Sequence, residues 1–242
     1  MVIPIDDEKH MKVACQPGGL VVELVGIAGA GKSTLYRALQ KKATWFLFEH
    51  IPSIWDFSNI PFYVKNIISL IPVLIKLLGK GNRFLNVREL VCMAILNDWS
   101  IDLMRNKADN GGKTIVIDQG PISMIAYLQL KGPLSLKNSN IQWWWDKVFE
   151  QWIQTIDLVV WLDISYETSI YRINNRPQKH SLKGKTYQES CDVLTKYRTK
   201  YEEVLSKFWL YNRNSHVIRI DSGENTVDEI VGTVISEIDA LD

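Results

Sequence analysis

The nine residues Gly26–Thr34, GIAGAGKST, constrain this chain more than any other stretch. They fit the pattern Gly, four residues, Gly-Lys-Ser/Thr. An apolar run of strand length, Leu20–Val25 (LVVELV), precedes them, and a helical pattern runs on from Thr34 to Lys41. In that setting the glycines leave several backbone N–H groups free to converge on one phosphate, and the following helix adds the positive end of its dipole. The stretch Gly26, Ala28, Gly29, Ala30, Gly31, Lys32, Ser33 and Thr34 is therefore expected to bind ATP or GTP. Lys32 is expected to reach the β- and γ-phosphates and Ser33 to offer its hydroxyl to Mg²⁺. The competing reading is a plain glycine turn between a strand and a helix.

Four more apolar runs follow, Thr44–Phe48, Thr114–Ile117, Leu158–Leu162 and His216–Ile220, with helical patterns between them. Such alternation predicts a parallel sheet with right-handed crossovers and helices on both faces. At 242 residues and 46% hydrophobic composition, one α/β domain with a sizeable core is expected. It should span 20–242, after a polar arm at 1–19, with a helical substrate-side insertion at about 57–108 and a lid at about 172–187. A formal net charge of +1 gives no global field for nucleic acid, which is not an expected partner. Cys15, Cys92 and Cys191 are too widely spaced for a metal motif or a disulfide framework and suit a reducing, cytoplasmic compartment. The N-terminus carries early acids, unlike a signal peptide, and no 18-residue stretch is free of charge, so no membrane span is expected.

Ligands of open α/β sheets bind beyond the carboxyl ends of the strands, which draws attention to the acids placed there. Glu49 ends the second strand, either as a group that acts on an acceptor or as a solvated loop acid. Asp118 ends the third, before Gln119-Gly120-Pro121, in the position of a Mg²⁺-holding carboxylate. Asp163 ends the fourth and is a second candidate. Arg88, near the start of the helix Asn86–Lys107, is either solvated or an anion ligand. From Arg172 to Tyr187 there are five cations (Arg172, Arg176, Lys179, Lys183, Lys185) and no acid, the composition of a loop that closes over phosphates.

The segment Pro61–Leu85 is expected to form one or two helices, broken or kinked near Pro72, with a turn at Gly79 and Gly81. It carries Lys65, Lys76, Lys80 and Arg83 and no acid. Apolar positions run nearly all the way round it. That predicts burial against the sheet or over a substrate, in preference to an interfacial stripe on a membrane. Trp143, Trp144 and Trp145 with Trp152 are expected chiefly as core, the alternative being a platform for a base.

In the order of these motifs the chain resembles the P-loop kinases of nucleosides and nucleotides, most closely thymidylate kinases and deoxynucleoside kinases. The resemblance rests on GIAGAGKST, Glu49 followed by a proline and Trp55, Asp118-Gln119-Gly120-Pro121, LVVWLD with Tyr171-Arg172 and Arg176, and Tyr197…Tyr201 before VIRIDSGENTVDEIV. It implies a five-stranded P-loop sheet and transfer of the γ-phosphoryl of MgATP to a small-molecule acceptor, a nucleoside or nucleoside monophosphate. It further implies Glu49 as the base on the acceptor, Asp118 with Ser33 at Mg²⁺, and Arg172 and Arg176 on phosphate. The chain departs from the family at Gln119, where arginine is common and where contact with the acceptor is expected. It also departs at His50 and in a lid with lysines in place of a third arginine. A kinase of another hydroxylated or amphipathic molecule, or a nucleotide switch without acceptor chemistry, fits the same motifs, and a homodimer is compatible with them.

Overall fold

The computed structural model describes residues 19–78, 83–211 and 216–241. Nearly all of the expected N-terminal arm, and Gly79, Lys80 and Gly81 of the expected turn, lie outside the described residues.

Five strands form one all-parallel sheet in the order β2-β3-β1-β4-β5. They are β1 (Val21–Val25), β2 (Leu47–Glu49), β3 (Ile115–Asp118), β4 (Leu158–Asp163) and β5 (His216–Asp221). The near-continuous Val/Ile/Leu runs of β1, β3 and β4 can be buried on both faces, and they take the three central places. The helices are α1 (Lys32–Lys42), α2 (Ile60–Leu77), α3 (Val87–Asp109), α4 (Pro121–Lys131), α5 (Gln142–Thr155), α6 (Tyr166–Asn175), α7 (Tyr187–Tyr211) and α8 (Val227–Leu241). This is the P-loop α/β architecture that the motif order implies.

Three expectations are corrected. The second strand was expected as a buried run over Thr44–Phe48. Instead α1 continues to Lys42, Thr44–Phe46 forms a turn, and β2 begins at Leu47 and includes Glu49. β2 pairs only with β3 and is half-buried, because an edge strand has a neighbour on one side alone. Second, α2 runs unbroken through Pro72. Tyr63, Asn66, Leu70, Val73 and Leu77 recur every three or four positions and are buried, so packing along the whole length holds the helix despite the missing N–H. Third, α2 is not buried all round. Its opposite face, from Ile60 to Leu78, stands open to solvent. Periodicity records which positions are apolar, whereas burial needs a neighbour on each side, and α2 packs on its inner side against α3 and the short turn Ser139–Ile141.

The tryptophans of α5 are core for the most part. Trp144, Trp145 and Trp152 are buried, and the Trp145 and Trp152 indole N–H groups donate to the carbonyls of Leu136 at 2.8 Å and Leu96 at 2.9 Å. Trp143 projects outward beneath the Lys76 ammonium.

Candidate active site

The phosphate loop joins β1 to α1 at the middle of the sheet. Gly26 has φ of 152°, and a Cβ there would come within 2.4 Å of the Leu162 carbonyl oxygen of β4. Gly29 has φ of 83°, and a Cβ there would meet the Ser169 carbonyl oxygen of α6 at 2.7 Å. Only glycine allows this backbone both its conformation and its close approach to β4 and α6. Ser169 Oγ also donates to the Ala28 carbonyl at 2.6 Å and pins the loop from the α6 side. Gly31, with φ of 93°, opens α1, and no side chain caps that N-terminus, so its first N–H groups remain available to an anion.

Lys32 Nζ donates to the carbonyls of Gly26 at 2.6 Å and Ile27 at 3.2 Å. Desolvation pushes its pKa down to about 8, with Asp118 pulling it up and Arg176 pushing it down. Ser33 Oγ donates to Asp118 Oδ2 at 2.8 Å, joining the loop to the end of β3. Asp118 Oδ1 is buried with no hydrogen-bond partner among the described residues. A hydroxyl and a carboxylate with a spare, buried oxygen suit Mg²⁺, which takes few protein ligands when phosphates complete its shell. The described residues hold no cluster of three or more His, Cys, Asp or Glu that could bind a metal ion.

Gln119 follows Asp118 at φ of 61°, in the left-handed region that a residue other than glycine rarely adopts. The turn it makes carries the chain to Gly120 and the start of α4, where the fully buried Glu23 of β1 receives it. The N–H groups of Ile122 and Ser123 donate to the Glu23 carboxyl at 3.1 and 3.3 Å. A Cβ at Gly120 would lie 2.8 Å from the Glu23 carboxyl carbon. Burial raises the Glu23 pKa to about 8, against the two backbone donors. Glu23 escaped the sequence reading, although an acid inside LVVELV was the available sign.

The lid cations divide. Arg172 of α6 donates to the carbonyls of Ser222 at 2.9 Å and Gly29 at 3.4 Å, bracing the phosphate loop against the turn after β5. Arg176 follows α6, acts electrostatically on Lys32, and has a buried Nε with no partner among the described residues. Asp163 is occupied. Arg198 Nη2 donates to its Oδ1 at 2.6 Å, and Arg219 Nε and Nη2 donate to its Oδ2 at 2.9 and 2.5 Å. That leaves Asp118 as the metal candidate.

Glu49 stands at the carboxyl end of β2 and accepts from the amide of Asn106 in α3. Desolvation raises its pKa, opposed by Asn106 and by His50. Tyr36 of α1 donates to the Glu49 carbonyl at 3.3 Å and ties β2 to the helix of the phosphate loop. Glu49 lines a cavity of about 390 Å³ with His50, Asp56, Phe62, Trp99 and Asp102 among its other walls. The start of α2 thus contributes to this wall through Phe62, as expected. Arg88 does not line the cavity; it lies over the Tyr127 ring at 4.4 Å. The phosphate-loop residues are not among those that line it. Asn106, Trp99 and Asp102 gave no sequence signal beyond their places in a helical pattern.

A parallel sheet with its glycine loop, lysine, serine and strand-end carboxylate at one edge defines a P-loop phosphate-binding fold. No family model matches the chain. A protein of Sulfolobus acidocaldarius named as a probable thymidylate kinase is 36% identical over 89 residues, which are 34% of this chain and 40% of that protein. The chain therefore spans less than half the length of that relative. Two structures of deoxyadenosine kinase from M. mycoides, one with bound dCTP and one with dCMP and a flexible dCDP, each cover 91% of this chain and all of their own. Their identity is 18% and their TM-scores are 0.50 and 0.53. The chain has the fold of that kinase and resembles the P-loop nucleoside and nucleotide kinases.

Proposed function

We propose that the chain transfers the γ-phosphoryl of MgATP to a hydroxyl of a small, uncharged, nucleoside-like acceptor. The observation that carries this reading is the Ser33–Asp118 hydrogen bond with the spare, buried Asp118 Oδ1 beside it. Ser33 and Asp118 would hold Mg²⁺, which when bound neutralises phosphate charge. Lys32 must give up its loop carbonyls for phosphate oxygens, and Arg176 has a free, buried donor for the same charge. Glu49, its pKa raised by burial, would accept the acceptor's proton. Placement and charge neutralisation, with little covalent chemistry, account for the rate of such a transfer.

The cavity walls favour a neutral acceptor. Glu49, Asp56 and Asp102 line it, and no lysine or arginine among the described residues does. This favours a nucleoside over a nucleoside monophosphate and leaves Arg88 outside acceptor binding. A screen of ATP consumption over nucleosides, nucleoside monophosphates, sugars and amino alcohols tests the reading. Turnover with neutral hydroxyl acceptors is expected. Turnover with monophosphates alone would overturn the acceptor class. Binding of ATP without turnover on any acceptor would support a second reading, a nucleotide switch, which Gln119 in the place of the family's common arginine favours.

A further inference from the structure

β1 is apolar except for one residue. Val21, Val22, Leu24 and Val25 are buried, and Glu23 among them is fully buried too. An acid in such a place needs hydrogen bonds to offset its desolvation. The groups that act on it are the N–H of Ile122, the N–H of Ser123 and the Asp118 carboxylate, and no cation pairs with it among the described residues.

Both Glu23 oxygens go to one place. Oε2 accepts from Ile122 at 3.1 Å and Oε1 from Ser123 at 3.3 Å. These are the second and third residues of α4. Pro121 before them has no N–H, and Gly120, at the cap position, has no side chain to serve the turn. The N–H of Met124 already goes to the Gly120 carbonyl at 3.2 Å. Glu23 therefore does from β1 what a capping side chain does from within a helix. The fit has no slack, since a Cβ on Gly120 would also lie 3.0 Å from Glu23 Oε2.

This clamp holds the turn from Asp118 to Gly120. In the β1–β3 register Glu23 lies beside Ile117, and Leu24 beside Asp118. Side chains alternate along a strand, so Glu23 and Asp118 leave opposite faces of the sheet. Asp118 reaches Ser33 of α1, and Glu23 reaches α4. Glu23 thus constrains Asp118 through the backbone between them. That backbone includes Gln119 at φ of 61°, a conformation that is costly for a residue with a side chain and persists only where its surroundings enforce it. The ladder with β1 holds the Asp118 end, and Glu23 holds the other. Released at α4, Gln119 would relax toward negative φ and draw the Asp118 carboxylate away from Ser33.

We propose that Glu23 is a positioning residue for the Mg²⁺ carboxylate: by gripping the first turn of α4 it fixes the Gln119 turn and so the place of Asp118. This inference rests on the reading of Ser33 and Asp118 as the Mg²⁺ site. A plain helix cap would affect stability alone. A positioning residue also changes how strongly nucleotide binding depends on the metal.

Equilibrium ATP binding, measured with excess Mg²⁺ and again with EDTA, tests the proposal without any turnover. Wild type should bind ATP more tightly with Mg²⁺. Glu23→Gln keeps the size of the side chain but turns an NH₂ toward one of the two backbone donors. It should lose about tenfold of the Mg²⁺-dependent gain, the lower end for groups that orient a metal ligand, and keep its affinity in EDTA. Gly120→Ala, which retains Glu23 and crowds it, should show the same pattern and serves where Glu23→Gln folds poorly. If both variants retain the wild-type gain while Asp118→Asn loses it, the proposal is overturned and Glu23 is a helix cap only. Equal losses with and without Mg²⁺ would overturn it as well, as general damage to the loop. A wild type that binds ATP equally well in both conditions would remove the metal site itself, and the role of Glu23 with it.

Discussion

Ser33 and Asp118 stand 85 positions apart in the chain and 2.8 Å apart in space. The contact fixes the first turn of α1 to the end of β3 and leaves one Asp118 oxygen free. Asp118→Asn keeps an acceptor for Ser33 and offers a neutral amide where a hard cation needs a carboxylate. The Mg²⁺ concentration for half-maximal ATP turnover should rise and kcat should fall. A Mg²⁺ titration of wild type and variant checks this, and superimposable curves would remove Asp118 from the metal site.

Lys32→Ala should lower turnover on the order of 10²–10³-fold with an unchanged melt, because one charge contact to the transferring phosphoryl is lost. The arginines should separate in the same assay. Arg172 braces the loop through Gly29 and Ser222, so Arg172→Ala should mainly weaken ATP binding. Arg176 has the unpartnered donor, so Arg176→Ala should mainly lower kcat. Steady-state kinetics with equilibrium nucleotide binding distinguishes the two.

Glu49→Gln should retain ATP binding and lose phosphoryl transfer by roughly 10²–10⁴-fold, the range for a general base. Asn106 donates to the Glu49 carboxylate and so lowers its pKa. Removing that donor by Asn106→Ala should raise the Glu49 pKa and move the acid limb of the kcat profile to higher pH. A limb that does not move would detach Glu49 from proton transfer.

Glu23 makes stability depend on pH. Its pKa is about 8 in the fold against an ordinary 4.5, so between these values the native state holds a proton that the unfolded chain has released. The contribution is therefore most favourable below the unfolded value, and stability falls as pH rises toward 8. Asp118 adds to the rise in pKa, and the N–H groups of Ile122 and Ser123 oppose it. Glu23→Gln should flatten the decline in Tm between about pH 5 and pH 8. Parallel wild-type and variant curves would assign that decline to other groups.

The sheet, the phosphate loop and Asp118 were legible because each is local: an apolar run, a turn and one residue at its end. What stayed hidden is tertiary. Asn106 reaches Glu49 from 57 positions away, and Ile122 reaches Glu23 from 99. The strand Leu47–Glu49 was misplaced because the aromatic propensity of Thr44–Phe46 did not register the turn that follows the end of α1 there. The two faces of α2 read alike in sequence. Only the position of α3 distinguishes the buried stripe from the open one.

The length of β2 has a mechanical consequence. Glu49 hangs on the outermost ladder of the sheet, three residues long, whereas the opposite edge strand β5 has six. Opening that short ladder costs less than disturbing the buried centre, where β1 and β3 hold the phosphate loop and Asp118. Amide exchange should accordingly be faster at Leu47–Glu49 than at Val22–Leu24. The molecule thus has a stiff seat for the nucleotide and a compliant arm carrying Glu49.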